Sequence, residues 1–181
     1  MTRCLYVVVC GAGPAGDVDR LIREAQEQDW AVQLISTPAG LDFIDLEALE
    51  ELTGNVVRAE YRKPGQPRSA PADAIIVAPA TYNTINKLAA GISDTYALGV
   101  VGEAIGLGLP VMVLPFVNTA LANREPFKRS VDSLRAEGVE VLMGPGQWEP
   151  HEPHTGGQYF DSFPWTLALD RVMADLDDTG D

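Results

Sequence analysis

The segment Cys4-Leu-Tyr-Val-Val-Val-Cys10, followed at once by Gly11-Ala-Gly-Pro-Ala-Gly16, decides the fold. A continuous apolar run rich in β-branched residues reads as a strand covered on both faces, the setting of a parallel sheet. The glycines behind it, spaced G-x-G-x-x-G, lie between that strand and an amphipathic segment. The chain must turn sharply there, and free backbone N–H groups at such a turn can cradle a phosphate. Two readings of the loop stay open, a phosphate site or simply a tight strand-to-helix turn. Pro14 removes one donor, and Asp17 and Asp19 bring negative charge close to any phosphate.

Outward from this stretch, apolar runs alternate with amphipathic ones, the mark of βαβ units. Residues 17–30 carry Val18, Leu21, Ile22 and Ala25 on one stripe and predict the first crossover helix. Further strands are expected at 31–35, 55–61, 74–78, 110–114 and 139–143. Helices are expected at 45–52, with Asp45 as N-cap, Leu46, Leu49 and Leu52 inward and Gly54 past the end, and at 81–90, 94–107, 126–137 and 165–176. The Pro- and Gly-rich stretch 63–71 and the segment 144–164 read as loops. The whole predicts an α/β fold: a single Rossmann-like, doubly wound domain over residues 1–176, with a mostly parallel sheet of about six strands. An acidic tail, 177–181, is expected to fray.

At 181 residues and 46% hydrophobic content the chain suits one domain with one sizeable core. Its 26 Asp and Glu against 13 Lys and Arg give a net charge of -13. That balance disfavours a nucleic-acid partner, which needs clustered Lys and Arg, and reads as solubility. The longest apolar run falls far short of the roughly 20 residues that cross a bilayer, and the N-terminus fits a core strand better than a signal peptide. A cytoplasmic location is therefore expected. Cys4 and Cys10 lie on one face of the same strand, about 20 Å apart and too distant for a disulfide. Both read as core residues.

A second motif, Pro79-Ala-Thr-Tyr-Asn-Thr84, begins at the C-terminal end of a predicted core strand, the edge where open α/β sheets bind ligands. It continues through Lys87, Ala89, Gly91 and Asp94. A third, Pro115-Phe-Val-Asn118, follows the strand at 110–114. Ser36 and Thr37 stand at the end of the second strand, where a dinucleotide fold would have an acidic residue for the ribose; two hydroxyls suit a mononucleotide phosphate better. Together these motifs resemble those of the homo-oligomeric flavin-containing cysteine decarboxylases, which include phosphopantothenoylcysteine decarboxylase and the lantibiotic peptidyl-cysteine decarboxylases. Pro79–Thr84 matches the family's P-A-S-A-N-T motif, and Lys87, Ala89, Gly91 and Asp94 match its K-x-A-x-G-x-x-D continuation. Pro115 and Asn118 are retained from P-x-M-N-x-x-M, and Thr37, Gly40 and Phe43 match a T-x-x-A/G-x-x-F pattern.

The resemblance implies FMN as cofactor, with Gly11, Gly13, Ala15, Ser36, Thr37, Phe43, Pro79, Ala80, Thr81, Tyr82, Asn83, Thr84 and Phe116 as its candidate contacts. Ala15 stands where the family often has serine, and Tyr82 where it has alanine. Asn118 corresponds to the residue that binds the substrate carboxylate. Taken alone, Asn83 and Asn118 are also ordinary turn formers. The resemblance further implies a homotrimer or an assembly of trimers. The family's catalytic histidine has no counterpart, because Gly65, Gln66 and Pro67 stand near its position, and no cysteine follows Cys10. The only histidines, His151 and His154, belong to a Pro-flanked segment with three readings: an exposed loop, a substrate flap in which one of them replaces the missing base, or a metal site. Two His without a third ligand are weak support for zinc, and no metal is expected.

The expected function is an FMN-binding oxidoreductase or decarboxylase acting on a small or peptidyl substrate, with Asn118, His151 and His154 as catalytic candidates. The alternative is a non-catalytic FMN carrier or sensor. Flavin prenyltransferases rank below both because their flavin motifs differ from residues 79–84, and nicotinamide-dependent dehydrogenases rank last.

Overall fold

The computed structural model describes residues 2–65 and 68–178. Five strands, β1 (Cys4–Val9), β2 (Ala31–Ser36), β3 (Ala74–Ala80), β4 (Val111–Pro115) and β5 (Glu140–Val141), form one sheet in the order β2-β1-β3-β4-β5. Every pairing is parallel. Among the described residues seven α-helices accompany them: α1 (Asp19–Glu27), α2 (Leu46–Thr53), α3 (Tyr82–Ala89), α4 (Tyr96–Gly106), α5 (Thr119–Ala122), α6 (Glu125–Ala136) and α7 (Trp165–Asp178). This is an α/β doubly wound fold.

Side chains of a strand alternate between faces, and β1 shows how the two core layers arise. Leu5, Val7 and Val9 pack with Leu21 and Ile22 of α1, Leu49 of α2 and Leu169 and Val172 of α7. Cys4, Tyr6, Val8 and Cys10 join Ile85 of α3, Val101 of α4 and Phe127, Val131 and Leu134 of α6. Both faces of the central strands are thus covered, which is why their sequences lack a polar alternation. Cys4 and Cys10 are buried, free and on the same face.

The sheet has five strands, so the sixth expected strand, 55–61, is corrected. That segment forms a single parallel bridge between Arg58 and Ile35. Side chains occupy the groups a ladder would use: Gln33 Nε2 donates to Val56 O, Asn55 Nδ2 donates to Val32 O, and Val57 N–H donates to Glu50 Oε1. A backbone served by neighbouring side chains has no need of a strand partner. Leu46, expected inward, is exposed, while Leu49 is buried; Asp45 caps α2 as expected, accepting from Ala48 N–H at 3.2 Å, and Gly54 takes the left-handed conformation at φ 68. The helix expected over 17–30 divides into a 3₁₀ turn, Gly13–Asp17, and α1. α7 runs two residues into the expected tail, and residues 179–181 of that tail lie outside the described residues. No helix among the described residues is long and apolar enough to cross a membrane.

Candidate functional site

From β1 the chain moves outward to β2 on one side and to β3 on the other, so the crevice over the C-terminal ends of β1 and β3 is the topological switch point. A cavity of about 370 Å³ sits there. Its lining comes from four places in the sequence: Gly11 after β1; Thr37, Pro38 and Ala39 after β2; Thr81, Asn83, Thr84 and Lys87 at β3–α3; and Thr95 and Leu98 at α4.

Local sequence explains each contribution. A Cβ on Gly11 would stand 2.9 Å from the Ala39 carbonyl oxygen, so only glycine lets the first turn close against the segment after β2. Thr37 starts the 3₁₀ turn Pro38–Phe43, its hydroxyl accepting from Gly40 N–H at 3.2 Å. A side chain at Gly40 would meet Ser36 Oγ at 2.6 Å and Val9 O at 2.8 Å. Thr81 is the N-cap of α3: its Oγ1 accepts from Thr84 N–H at 3.3 Å and donates to Thr84 Oγ1 at 3.0 Å. Thr95 caps α4 in the same way through Leu98 N–H at 3.2 Å. Lys87 pairs with Asp94 at 2.6 Å, linking the two ends of its motif across the turn between α3 and α4. Beneath this floor burial pushes the Cys10 thiol pKa up, partly offset by hydrogen bonds with Thr84 and Thr81.

Other expected contacts fall elsewhere. Pro79 follows a cis peptide bond, its carbonyl accepts from Cys10 N–H at 3.2 Å, and Ala80 O accepts from Phe116 N–H at 2.8 Å; these two bind β3 to its neighbours through backbone. Ser36 is fully buried, with its hydroxyl donated to Thr37 O at 2.9 Å. Ala15 belongs to the core. Phe43 is exposed, and its carbonyl oxygen lies 3.5 Å from where a Gly16 Cβ would be. The Tyr82 ring stacks on Phe127 of α6 at 5.4 Å, and its hydroxyl accepts from Arg124 at 2.9 Å. Gly13 carries the ring of Phe160 pressed against it, leaving no room for a Cβ. Asp19 faces Arg23 at 3.4 Å on an exposed surface.

A second group gathers beside the cavity. Phe116 lies 4.8 Å from the His151 ring and 5.8 Å from both Phe160 and Phe163, and Trp148 and Tyr159 complete the cluster. The segment 144–164 is therefore packed through its aromatic rings. A parallel bridge joins Asn118 to His151: Thr119 N–H donates to His151 O at 2.8 Å and His151 N–H to Val117 O at 3.3 Å. Asn118 Oδ1 caps α5 by accepting from Leu121 N–H at 3.0 Å, so its amide NH₂ remains as donor. His154 is exposed, with φ 68. Phe160 touches Gly13 of the first loop on one side and Phe116 on the other.

The sequence reading missed Pro38, Ala39, Lys87, Thr95 and Leu98. Lys87 was in the quoted motif, whereas Thr95 and Leu98 reach the cavity only because α4 folds back beside α3. Among the described residues no group of three or more His, Cys, Asp or Glu could hold a metal ion.

A family model described as Flavoprotein matches residues 2–161. The chain belongs to the flavoprotein family. Among curated relatives of this flavoprotein is the coenzyme A biosynthesis bifunctional protein CoaBC of Thermococcus kodakarensis, 28% identical over 144 residues; the match covers 76% of this chain and 36% of that relative's length. A probable phosphopantothenoylcysteine decarboxylase of Streptococcus mutans is 27% identical over 150 residues, covering 79% of this chain and 83% of the relative. Among solved structures, the FMN-dependent cysteine decarboxylase TvaF from thioviridamide biosynthesis shares the fold. Its TM-score is 0.72 at 24% identity, with 96% of this chain and 99% of that one covered.

Proposed function

We propose that this flavoprotein binds FMN in the switch-point cavity and carries out oxidative, decarboxylase-like chemistry on a small or peptidyl substrate. The observation that carries the reading is the cavity itself. Gly11, Thr37, Thr81, Asn83 and Thr84, distant in sequence, meet there with Lys87 and Thr95. Hydroxyl and amide donors with one cation suit a phosphorylated, hydroxyl-bearing ligand, and Leu98 offers an apolar wall. The FMN dependence of TvaF and the decarboxylase relative from Streptococcus mutans support the same reading.

When bound, FMN supplies an acceptor for two electrons. The chain's own contributions lie in the group beside the cavity. The Asn118 amide holds the substrate carboxylate through its NH₂. His151 takes up a proton at Nε2, because Nδ1 is 2.9 Å from Glu152 O, which accepts only and so fixes Nδ1 as the donor. The exposed His154 has the lesser part. The aromatic rings of Phe116, Trp148 and Tyr159 exclude water. A cytoplasmic homotrimer is part of the proposal on the family resemblance, and the exposed Leu107 and Tyr61, which line a cavity of about 650 Å³, offer apolar surface for a contact between copies.

One observation favours the second reading, a flavin carrier or sensor: neither Asn118 nor His151 lines the cavity. The test is the absorbance spectrum of the purified protein, with mass identification of the cofactor released on denaturation. Bands near about 370 and 450 nm together with released FMN are expected; a colourless protein that takes up no added FMN refutes the assignment. Turnover of thiol substrates by the yellow protein, lost in Asn118→Ala, separates enzyme from carrier.

A further inference from the structure

We propose that Gly156 is a positioning residue whose missing side chain keeps Nε2 of His151 open. The inference rests on the reading of His151 as proton acceptor. A Cβ at position 156 would stand 3.1 Å from His151 Cε1, 3.3 Å from Nε2 and 3.5 Å from Phe116 Cε1. It would therefore lie along the ring edge that carries the free nitrogen and wedge between the two rings. The imidazole has little room to retreat. Phe116 lies 4.8 Å from it, and Tyr159 stacks at 6.0 Å with an interplanar angle of 22°. At its far side Nδ1 is engaged by Glu152 O at 2.9 Å, and its own backbone is paired to Val117 and Thr119.

Gly156 has no left-handed φ, so space and not backbone freedom calls for glycine there. The adjacent Gly157 has no atom within 4 Å of a built Cβ and no left-handed φ either. The pair forms an internal comparison: one glycine is required by a ring, the other by nothing in its surroundings.

The chain has two histidines, so an imidazole ¹⁵N spectrum resolves each without crowding. In the native protein His151 is expected in the tautomer with the proton on Nδ1, and Nε2 is expected to react with diethyl pyrocarbonate. In Gly156→Val the ring is displaced: His151 takes the mixed tautomers of a free imidazole or its modification slows several-fold, while His154 stays unchanged as the internal reference. Gly156→Ala moves the same readouts less far, and Gly157→Ala leaves them alone. Identical His151 spectra and rates in the native, Gly156→Ala and Gly156→Val proteins overturn the proposal, as does an equal effect of Gly157→Ala. Neither readout needs flavin. Failure to take up FMN with these differences intact overturns the cofactor reading and leaves the positioning role standing.

Discussion

Replacing Thr81 by valine removes one hydroxyl and keeps the shape of the side chain, so its effects report that oxygen alone. Thr81 Oγ1 serves α3 twice, accepting from Thr84 N–H at 3.3 Å and donating to Thr84 Oγ1 at 3.0 Å. Loss of an N-cap costs about 1 kcal/mol, within a range of about 0.5–2. With a urea dependence of about 2 kcal/mol per molar, the unfolding midpoint falls by about 0.5 M. The first turn of α3 also presents Asn83 and Thr84 to the cavity, so flavin uptake weakens in step. Thr81→Ser restores the oxygen and is expected within about 0.2 M of the native midpoint, the equivalent of less than about 0.5 kcal/mol. Urea unfolding followed by circular dichroism reads both variants. A native midpoint in Thr81→Val refutes the capping role, and so does a loss in Thr81→Ser as large as that in Thr81→Val, because serine keeps the capping oxygen.

Gly40→Ala is expected to cost about 1–3 kcal/mol by forcing a Cβ against Ser36 Oγ and Val9 O, whereas Gly102→Ala, in open space on α4, raises stability by about 0.4–1 kcal/mol; thermal melts compare the two. Lys87→Met breaks a pair whose side chains are 29% and 52% exposed, so its direct cost is about 0.2–1 kcal/mol; it should vanish at high salt in the same melts, while any loss of flavin affinity persists. Burial pushes up the pKa values of Cys4, Cys10, Tyr6 and Tyr96, with Asp73 adding to the effect at Cys4. The folded chain therefore keeps protons that the unfolded chain releases above its ordinary values of 9.0 for the thiols and 10.0 for the phenols. Stability is level below those values and declines as pH rises through and above them, with a shallower decline in Cys10→Ala; urea midpoints measured from pH 7 to 11 check the slope.

The buried strands and the turns and caps that follow them could be read from the chain because each carries its information locally. Val7 to Val9 are β-branched for the sheet, and Thr81 starts a helix by its own hydroxyl. What stayed hidden depends on distant partners. Residues 55–61 look like a strand, yet Gln33 and Glu50 engage their backbone and the Asn55 side chain takes the Val32 carbonyl of β2, a choice made by side chains of other elements or of the loop itself. Thr95 and Leu98 gain a place in the cavity from the packing of α4 alone. The segment 144–164 read as irregular because its order comes from ring contacts, Phe116 with His151 and Trp148 with Phe163, and no periodic pattern records them.

The stack of Tyr82 on Phe127, with Arg124 on the phenol, gives the middle of the Pro79–Thr84 motif a second allegiance. Thr81, Asn83 and Thr84 line the cavity, while the residue between them packs on a helix more than forty positions downstream. Drift at position 82 across descendants of a common ancestor should consequently track positions 124 and 127, independently of the ligand. The tyrosine at position 82 is thus accounted for by how α6 is seated.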